Sequence, residues 1–158
     1  MKFRILAVGR GMPEPIRALV ADYRSRLAPF GGAELLEVAD ARRSADSPAH
    51  RQRWLAEEAE RLNRVIARSG VLIALDSRGR ALSSPDLATA LGRLRDEGLT
   101  EIQFLVGGPD GLDEALLGQA RWSLSLGPMT LPHMLARVVL LEQLYRAMTI
   151  LRGIPYHR

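Results

Sequence analysis

The residues best suited to bind a ligand are glycines that follow a predicted strand. Residues 104–112 read FLVGGPDGL, an apolar run that ends in the adjacent glycines Gly107 and Gly108. Glycines at the carboxyl end of a strand let a ligand approach the main chain closely, and Pro109 stiffens the turn. Asp110 is placed to cap the helix that follows. The segment predicts a binding turn, although a strand-to-helix turn without a ligand would show the same residues.

A second glycine pair, Gly9 and Gly11, follows the first predicted strand, and Asp40 ends the second strand. This spacing outlines a dinucleotide-binding fingerprint. Its third glycine position holds Glu14, however, and a carboxylate there would repel a pyrophosphate at the helix N-terminus. A tight turn between a strand and a helix, which glycine favours, accounts for Gly9 and Gly11. A nicotinamide-dependent enzyme remains an alternative, and it predicts nicotinamide binding that Gly11→Glu abolishes.

Several common catalytic chemistries lack the residues they need. The chain contains no cysteine, which excludes a disulfide scaffold, a thiolate metal site and a cysteine nucleophile. The three histidines, His50, His133 and His157, have no metal-ligand spacing, so we expect no metal. Neither the GxSxG nucleophile motif nor the GxxxxGK[ST] phosphate loop occurs, which excludes acyl transfer and nucleotide hydrolysis by those routes.

The charge of the chain is unevenly distributed. Lys and Arg number 22 against 18 Asp and Glu, the net charge is +4, and the pI is about 10.3. Residues 1–53 hold ten of the basic and six of the acidic residues, and no acidic residue follows Glu142. Clustered arginine is typical of proteins that bind a nucleic-acid backbone, although an arginine-rich surface without a partner would look the same.

No membrane or export segment is evident in the sequence. No apolar run reaches the roughly 18 residues of a membrane-spanning helix. The apolar run near the N-terminus is short and interrupted by Arg4, unlike a signal peptide. We therefore expect a cytoplasmic protein with no membrane partner.

The hydrophobic pattern predicts strands that alternate with helices. The predicted strands cover residues 3–9, 34–39, 71–75, 101–106 and, as a short strand or extended segment, 122–126. The predicted helices cover residues 13–27, 54–67, about 83–95, 113–121 and 131–151, with 41–53 as a basic connection. Ser83 and Thr130 are the expected caps of the third and last helices. Such alternation predicts an α/β domain with a mostly parallel sheet, whose ligands bind in the loops after Leu75, Val106 and Leu126.

The last predicted helix is apolar around most of its circumference. Between His133 and Arg152 its charged and amide residues are Arg137, Glu142, Gln143 and Arg146. A helix of this kind must be covered on more than one face. We expect a second subunit to supply one cover, with Leu140 and Leu144 in the contact. Burial within a single chain is the alternative.

Five ordered segments closely resemble one protein family. They are residues 75–84 (LDSRGRALSS), 106–112 (VGGPDGL), 124–133 (LSLGPMTLPH), 142–147 (EQLYRA) and 153–158 (GIPYHR). Together with the MKFRILAVG start, they extend the resemblance to the ribosomal RNA large subunit methyltransferase H family over essentially the whole chain.

The resemblance implies a SPOUT-class fold and a specific reaction. It implies a single α/β domain over residues 1–158, a deep trefoil knot in its C-terminal half, and a homodimer. It also implies methyl transfer from S-adenosylmethionine to N3 of a pseudouridine in helix 69 of 23S rRNA, within the assembled ribosome. A sulfonium methyl is already electrophilic, which agrees with the expectation that no metal takes part.

The resemblance and the three loops together indicate the site residues. We expect main-chain groups of the following residues to hold the cofactor: Leu75, Gly107, Gly108, Leu126, Gly127, Pro128, Met129, Thr130 and Leu131. Catalysis and substrate binding are expected of His133 in the pocket and of the tail residues Tyr156, His157 and Arg158. The tail combines a ring that can stack on a base with a cation that can hold a phosphate.

Two questions about function stay open at this stage. The proton on the target nitrogen could pass to one of these four residues or to bulk water. A catalytically silent RNA-binding protein with the same basic face is also an alternative, and it predicts no binding of S-adenosylmethionine.

Overall fold

One parallel sheet forms the centre of the molecule. A computed structural model describes residues 1–42 and 47–158. Within those ranges five strands lie in the order β2-β1-β4-β3-β5, and every paired neighbour is parallel. The strands are β1 (Lys2–Val8), β2 (Ala33–Val38), β3 (Val71–Ala81), β4 (Glu101–Val106) and β5 (Trp122–Ser125). The predicted α/β class with a mostly parallel sheet is confirmed.

Helices cover both faces of the sheet. They are α1 (Glu14–Leu27), α2 (Pro48–Asn63), α3 (Ser84–Asp96), α4 (Glu114–Leu117) and α5 (His133–Leu151), and a 3-10 turn, Ala28–Phe30, follows α1. Because side chains alternate along a strand, Ile5 and Phe104 face a core shared with α1, α3 and α5. Leu6 and Leu105 face the opposite core, under α2 and α4. The carboxyl ends of the strands therefore lie between two helical layers.

Helix α5 is covered mainly by its own chain. Leu140 and Leu144 are fully buried (0% exposed) in a single chain, within the core formed with α1 and α3. The prediction that these two leucines lie between subunits is therefore wrong. The physical reason is that two neighbouring helices flank α5 on the sheet, so one chain covers three of its sides. Leu135, 36% exposed, is the large apolar residue of α5 that remains open to solvent.

Two segment boundaries differ from the sequence prediction. Helix α2 begins at Pro48 rather than Trp54, because the Ser47 hydroxyl accepts a hydrogen bond from the His50 N–H (3.3 Å). Its first turns are exposed and polar, so no apolar period marks them. Residues 43–46 of the predicted basic connection lie outside the described ranges. Strand β3 continues to Ala81, where it pairs again with β5 after a register shift, so the predicted loop after Leu75 is a bulged strand.

The predicted caps were partly correct. Ser83 caps α3 and accepts the Asp86 N–H at 3.2 Å, as expected. Thr130 does not cap α5, whose N-cap is Pro132 with no side-chain hydrogen bond. Asp110 does not cap α4 either, because Asp113 accepts the Ala115 N–H at 2.9 Å. The cap of α4 thus lies three residues further along, and that helix is a single turn.

None of the described helices is both long enough and apolar enough to cross a membrane.

The burial of α5 can be tested by unfolding. Leu144→Ala should lower the free energy of unfolding by about 2–5 kcal/mol, because the surrounding core cannot fill the cavity left behind. Leu19→Ala is the matched control and should cost less than about 1 kcal/mol, since that side chain of α1 is 44% exposed. Urea unfolding followed by circular dichroism measures both. Equal small losses would contradict the assignment of Leu144 to the core.

Candidate functional site

A cavity of about 720 Å³ lies at the ends of β4 and β5 and beside the bulge that follows Leu75 in β3. The structure places all nine residues expected at the cofactor site on its wall: Leu75, Gly107, Gly108, Leu126, Gly127, Pro128, Met129, Thr130 and Leu131. His133, at the start of α5, also lines it. Three chain segments that are distant in sequence therefore converge on one space, at the edge where ligands of parallel sheets bind.

The glycine turn after β4 is shaped by close backbone contacts. A β-carbon on Gly107 would overlap the carbonyl of Gly111. Gly111 has a φ of +86° and donates its N–H to the Gly108 carbonyl at 3.0 Å. A β-carbon on Gly108 would lie 3.2 Å from the Val8 side chain and 3.6 Å from a carboxylate oxygen of the buried Glu58. Gly107 therefore shapes the turn, whereas Gly108 packs against β1 and α2 below it.

The loop after β5 presents mainly backbone to the cavity. The Ser125 hydroxyl donates to the Gly127 carbonyl and accepts the Gly127 N–H, both at 3.2 Å. Gly127 has a φ of +116° and no atom near the place of a β-carbon, so the main chain there is open to a ligand. Met129 is 81% exposed at the outer end of this loop.

Sequence reasoning missed one wall of the cavity. The first turns of α2 contribute Pro48, Arg51, Gln52 and Leu55 to the lining. These residues fell in the segment predicted as a connection or at the very start of the predicted helix. Ser47 followed by Pro48 is a helix-start signal and could have placed them on a helix. Arg51 lies 3.6 Å from Asp110 of the glycine turn, so an ion pair joins α2 to that turn across the cavity.

The charges around the cavity favour a cationic ligand. Its lining includes four carboxylates, Asp76, Asp110, Asp113 and Glu114, and two guanidinium groups, Arg51 and Arg78. Arg78 bridges two of the acids, at 3.0 Å from Asp76 and 2.9 Å from Glu114. Hydrogen bonds from Arg78 hold the pKa of Asp76 below its usual range, so that carboxylate stays ionised. In the described ranges no group of three or more potential ligands is arranged to hold a metal ion.

His133 lies on the wall between this cavity and a smaller one of about 300 Å³. The smaller cavity is also lined by Gly9, Arg10, Asp40 and Pro109. Gly9 approaches α5 closely, since a β-carbon there would lie 3.1 Å from His133 Nε2. The glycine pair that suggested a dinucleotide site thus belongs to a turn packed against the start of α5.

Arg137 secures that turn one helical turn beyond His133. Its side chain is fully buried (0% exposed), and it donates to the carbonyls of Val8 (2.5 Å) and Gly9 (3.0 Å). It also pairs with Glu37 of β2 at 2.6 Å. Burial lowers the pKa of the Arg137 guanidinium, and the carboxylate of Glu37 opposes that shift. The start of α5 is therefore tied to the ends of two strands.

The expected tail residues lie at the opposite end of α5. Tyr156 and His157 contact Glu142 and Arg146, which lie about 14 and 20 Å along the helix axis from His133, and no tail residue lines the cavity. The tail nonetheless packs in a defined position. Gly153 turns the chain with a φ of +64°, and the Ile154 N–H bonds to the Thr149 carbonyl at 2.9 Å.

Tyr156 is the best-anchored residue of the tail. Its hydroxyl donates to Glu142 at 3.1 Å, and its ring meets that of Tyr145 edge-on at 4.8 Å. The Arg146 guanidinium lies 4.6 Å from the centre of the Tyr156 ring, and Arg146 also approaches His157 Nδ1 at 3.4 Å. Partial burial and the hydrogen bond to Glu142 raise the pKa of Tyr156 to about 12. The phenol therefore stays protonated at neutral pH.

Comparison with known proteins shows the family of this chain. The family model described as a predicted SPOUT methyltransferase matches residues 1–157. The ribosomal RNA large subunit methyltransferase H of Magnetococcus marinus is 46% identical over 158 residues, covering 99% of both chains. The protein of that name from Dinoroseobacter shibae is 44% identical over 164 residues, covering 100% of this chain and 99% of its own.

Two solved structures share the fold at low sequence identity. A probable methylase family protein from Haemophilus influenzae superposes with a TM-score of 0.55 at 14% identity, over 99% of this chain and 70% of that one. A probable methyltransferase from Bordetella pertussis gives 0.55 at 19% identity, over 92% and 95% of the two chains. These likenesses support the fold, and the full-length sequence matches decide the family. The chain belongs to the SPOUT methyltransferases and, within them, to the ribosomal RNA large subunit methyltransferase H family.

Proposed function

We propose that this protein methylates N3 of a pseudouridine in helix 69 of 23S rRNA, in assembled ribosomes, with S-adenosylmethionine as the methyl donor. One observation carries the proposal. Three segments, around Leu75, Gly107 and Leu126, line one cavity in a chain that matches rRNA methyltransferases over its full length. The arginine-rich composition supports a nucleic-acid partner.

The cavity fits the proposed cofactor in size and chemistry. Its volume of about 720 Å³ lies within the roughly 300–1,000 Å³ typical of small-molecule sites. Apolar walls from Leu75, Val106 and Leu126 suit an adenine ring, and the Gly127 carbonyl keeps a second lone pair that can accept from its amino group. The surplus of carboxylates suits a ligand with a sulfonium and an ammonium group. When bound, the cofactor supplies an electrophilic methyl group.

For methyl transfer, the protein itself must align the target base and allow the proton on N3 to leave. In the proposed arrangement the target base enters beside His133, on the wall shared by the two cavities. Alignment of the nitrogen with the methyl group supplies most of the catalysis expected of such a site. His133, the tail residues and bulk water remain the candidate proton acceptors.

The position of the tail supports a homodimer. Tyr156 and His157 contact Glu142 and Arg146, and no tail residue lines the cavity of its own chain, so the tail would act on the cavity of a second copy. Large exposed apolar residues occur near both ends of α5, with Met129 and Leu135 near the cavity and Ile154 near the tail. Antiparallel pairing of two α5 helices about a two-fold axis would bring these ends together.

A trefoil knot belongs to the same proposal. Its support is the match of residues 1–157 to the SPOUT methyltransferase family model. The close approach of Gly79 to Ser123, where a β-carbon would lie 2.6 Å from the Ser123 carbonyl carbon, belongs to the register shift between the paired strands β3 and β5.

Transfer of tritiated methyl groups to ribosomes tests the proposed reaction. Ribosomes with the target pseudouridine should be labelled, and ribosomes that lack prior pseudouridylation should be labelled far less. Failure of the purified protein to bind S-adenosylmethionine in calorimetry would instead favour the silent RNA-binding alternative.

Gly107→Ala should weaken cofactor binding by at least about tenfold, because the new β-carbon must displace the Gly111 carbonyl and reshape the turn. Gly98→Ala is the matched control. Gly98 has a φ of +84° in a turn remote from the cavity, so alanine strains the backbone there without touching the lining. Calorimetry with S-adenosylmethionine should show a loss of affinity only for Gly107→Ala. Thermal unfolding should show that both variants are folded. Equal affinity in both variants would argue against the site.

Deletion of residues 156–158 should abolish methyl transfer to ribosomes and leave cofactor affinity near that of the full chain, because the tail does not line the cavity. Mixing this variant with Gly107→Ala, at an S-adenosylmethionine concentration too low for Gly107→Ala alone to turn over, should restore roughly one quarter of the activity if subunits exchange at random, since half of the dimers then hold one intact composite site. Wild-type turnover by the deletion variant would reassign catalysis to His133 and the cofactor loop. No recovery on mixing would contradict a shared site.

A further inference from the structure

Most of the positive charge in the first third of the chain is neutralised by neighbouring acids. Arg10 and Arg42 differ, because both are exposed and neither forms an ion pair or a hydrogen bond with the described part of the chain. Arg24 donates to the Ala33 carbonyl at 3.0 Å. The basic residues of the described ranges 1–42 and 47–53 that pair with a carboxylate are Lys2, Arg4, Arg17, Arg26, Arg51 and Arg53.

The two unpaired arginines follow neighbouring strands at one edge of the sheet. Arg10 follows β1 and Arg42 follows β2, and the pairing of Val8 with Val38 sets the ends of these strands side by side. Arg10 lines the smaller cavity together with His133. Since the target base is proposed to enter beside His133, the unpaired charge lies where the RNA strand must approach.

The turn that carries Arg42 is held firmly by α2. The Arg61 guanidinium donates to the Ala39 carbonyl at 2.9 Å, and the Ala41 N–H donates to the buried carboxylate of Glu58 at 2.9 Å. The turn after β1 is held in a similar way by the buried guanidinium of α5 that binds its carbonyls. Both arginines therefore extend from fixed backbone, and a ligand would have to order only their side chains.

The charges around the smaller cavity indicate which part of a nucleotide each group could hold. An exposed guanidinium without a partner suits a phosphate, because its planar fork can donate two N–H groups to two phosphate oxygens. Asp40 also lines the smaller cavity and pairs with no cation in the described ranges, so it would repel a phosphate placed inside. The interior therefore suits an uncharged base, and the exposed rim suits the backbone.

We propose that Arg10 and Arg42 bind the sugar–phosphate backbone of the rRNA strand beside the target base. The inference rests on the proposed function and adds the surface that holds the same substrate. Contacts to phosphates position a strand without reading its sequence. These arginines would therefore contribute to the binding of ribosomes and not to the methyl transfer step.

The test is the salt dependence of ribosome binding by Arg10→Ala, Arg42→Ala and the double variant, measured by filter binding. Each phosphate contact to a single strand contributes about 0.7 to the slope of log affinity against log salt concentration. We expect the slope to fall by about 0.7 in each single variant and by about 1.4 in the double variant. Affinity near physiological salt should fall about 3- to 10-fold for each arginine. Arg10→Lys keeps the charge and should keep the slope.

The kinetics should show the same division between binding and chemistry. KM for ribosomes should rise with the loss of affinity, while kcat and the affinity for S-adenosylmethionine stay within about twofold. Neither arginine lines the larger cavity, so unchanged cofactor affinity also shows that the variants are folded. A fall in kcat with an unchanged KM would contradict a role in holding the strand.

Arg68→Ala is the matched control. Arg68 is exposed, it forms no ion pair or hydrogen bond with the described residues, and it precedes β3 at the opposite edge of the sheet. The substitution removes the same charge and should leave the slope unchanged. An equal fall for Arg68→Ala would mean that net charge alone attracts the ribosome, and it would overturn the inference.

Protein-free 23S rRNA separates RNA from ribosomal protein as the partner. At low salt the double variant should bind this RNA more weakly than the unaltered chain does. A loss confined to ribosomes, no binding of this RNA by the unaltered chain, or unchanged slopes would each overturn the inference, while methylation by the unaltered protein stands. Absence of methyl transfer by the unaltered protein would overturn the proposed function, and the slopes do not depend on that measurement.

Discussion

The ion pair of the buried Arg137 with the partly exposed Glu37 is the interaction on which the arrangement of the site depends. It joins α5 to β2 at 2.6 Å, and the same guanidinium binds the carbonyls of Val8 and Gly9 at the end of β1. A fully buried charge is costly unless it is paired, and loss of one partner from such a pair costs about 3–5 kcal/mol. Once α5 is fixed here, His133 must lie at the cavity, and Glu142 must lie near the tail. One helix thus sets both ends of the proposed reaction.

Much of the fold and of the cavity wall could be predicted because both rest on local patterns. Apolar runs such as residues 71–75 and 101–106 are typical of buried strands, and parallel strands bring their carboxyl ends to one edge. The glycine turn at Gly107 was therefore expected beside the loop after Leu126, and the structure places both on one cavity. The resemblance to a known family supplied the identity of the ligand, which no hydrophobic pattern contains.

What could not be predicted depends on contacts between distant segments. The polar start of α2 has no apolar period, so its place on the cavity wall depends on the cap at Ser47 and on the ion pair of Arg51 with Asp110. Leu140 and Leu144 looked suited to a subunit contact because a sequence shows how apolar a helix is, not which neighbours cover it. In the same way, the alignment of Tyr156 with Glu142 joins residues that are 14 positions apart across a glycine turn.

The contacts of the tail explain how a chain terminus can be ordered although it lies apart from the cavity of its own chain. Chain termini are poorly ordered unless contacts hold them, and here Tyr156 contacts Tyr145, Arg146 and Glu142. In the proposed function, this order lowers the entropy that the tail would lose when it meets a substrate. The cavity at the start of α5 would then hold the methyl donor while the tail of a second copy would hold the base, and a two-fold axis would bring the two together.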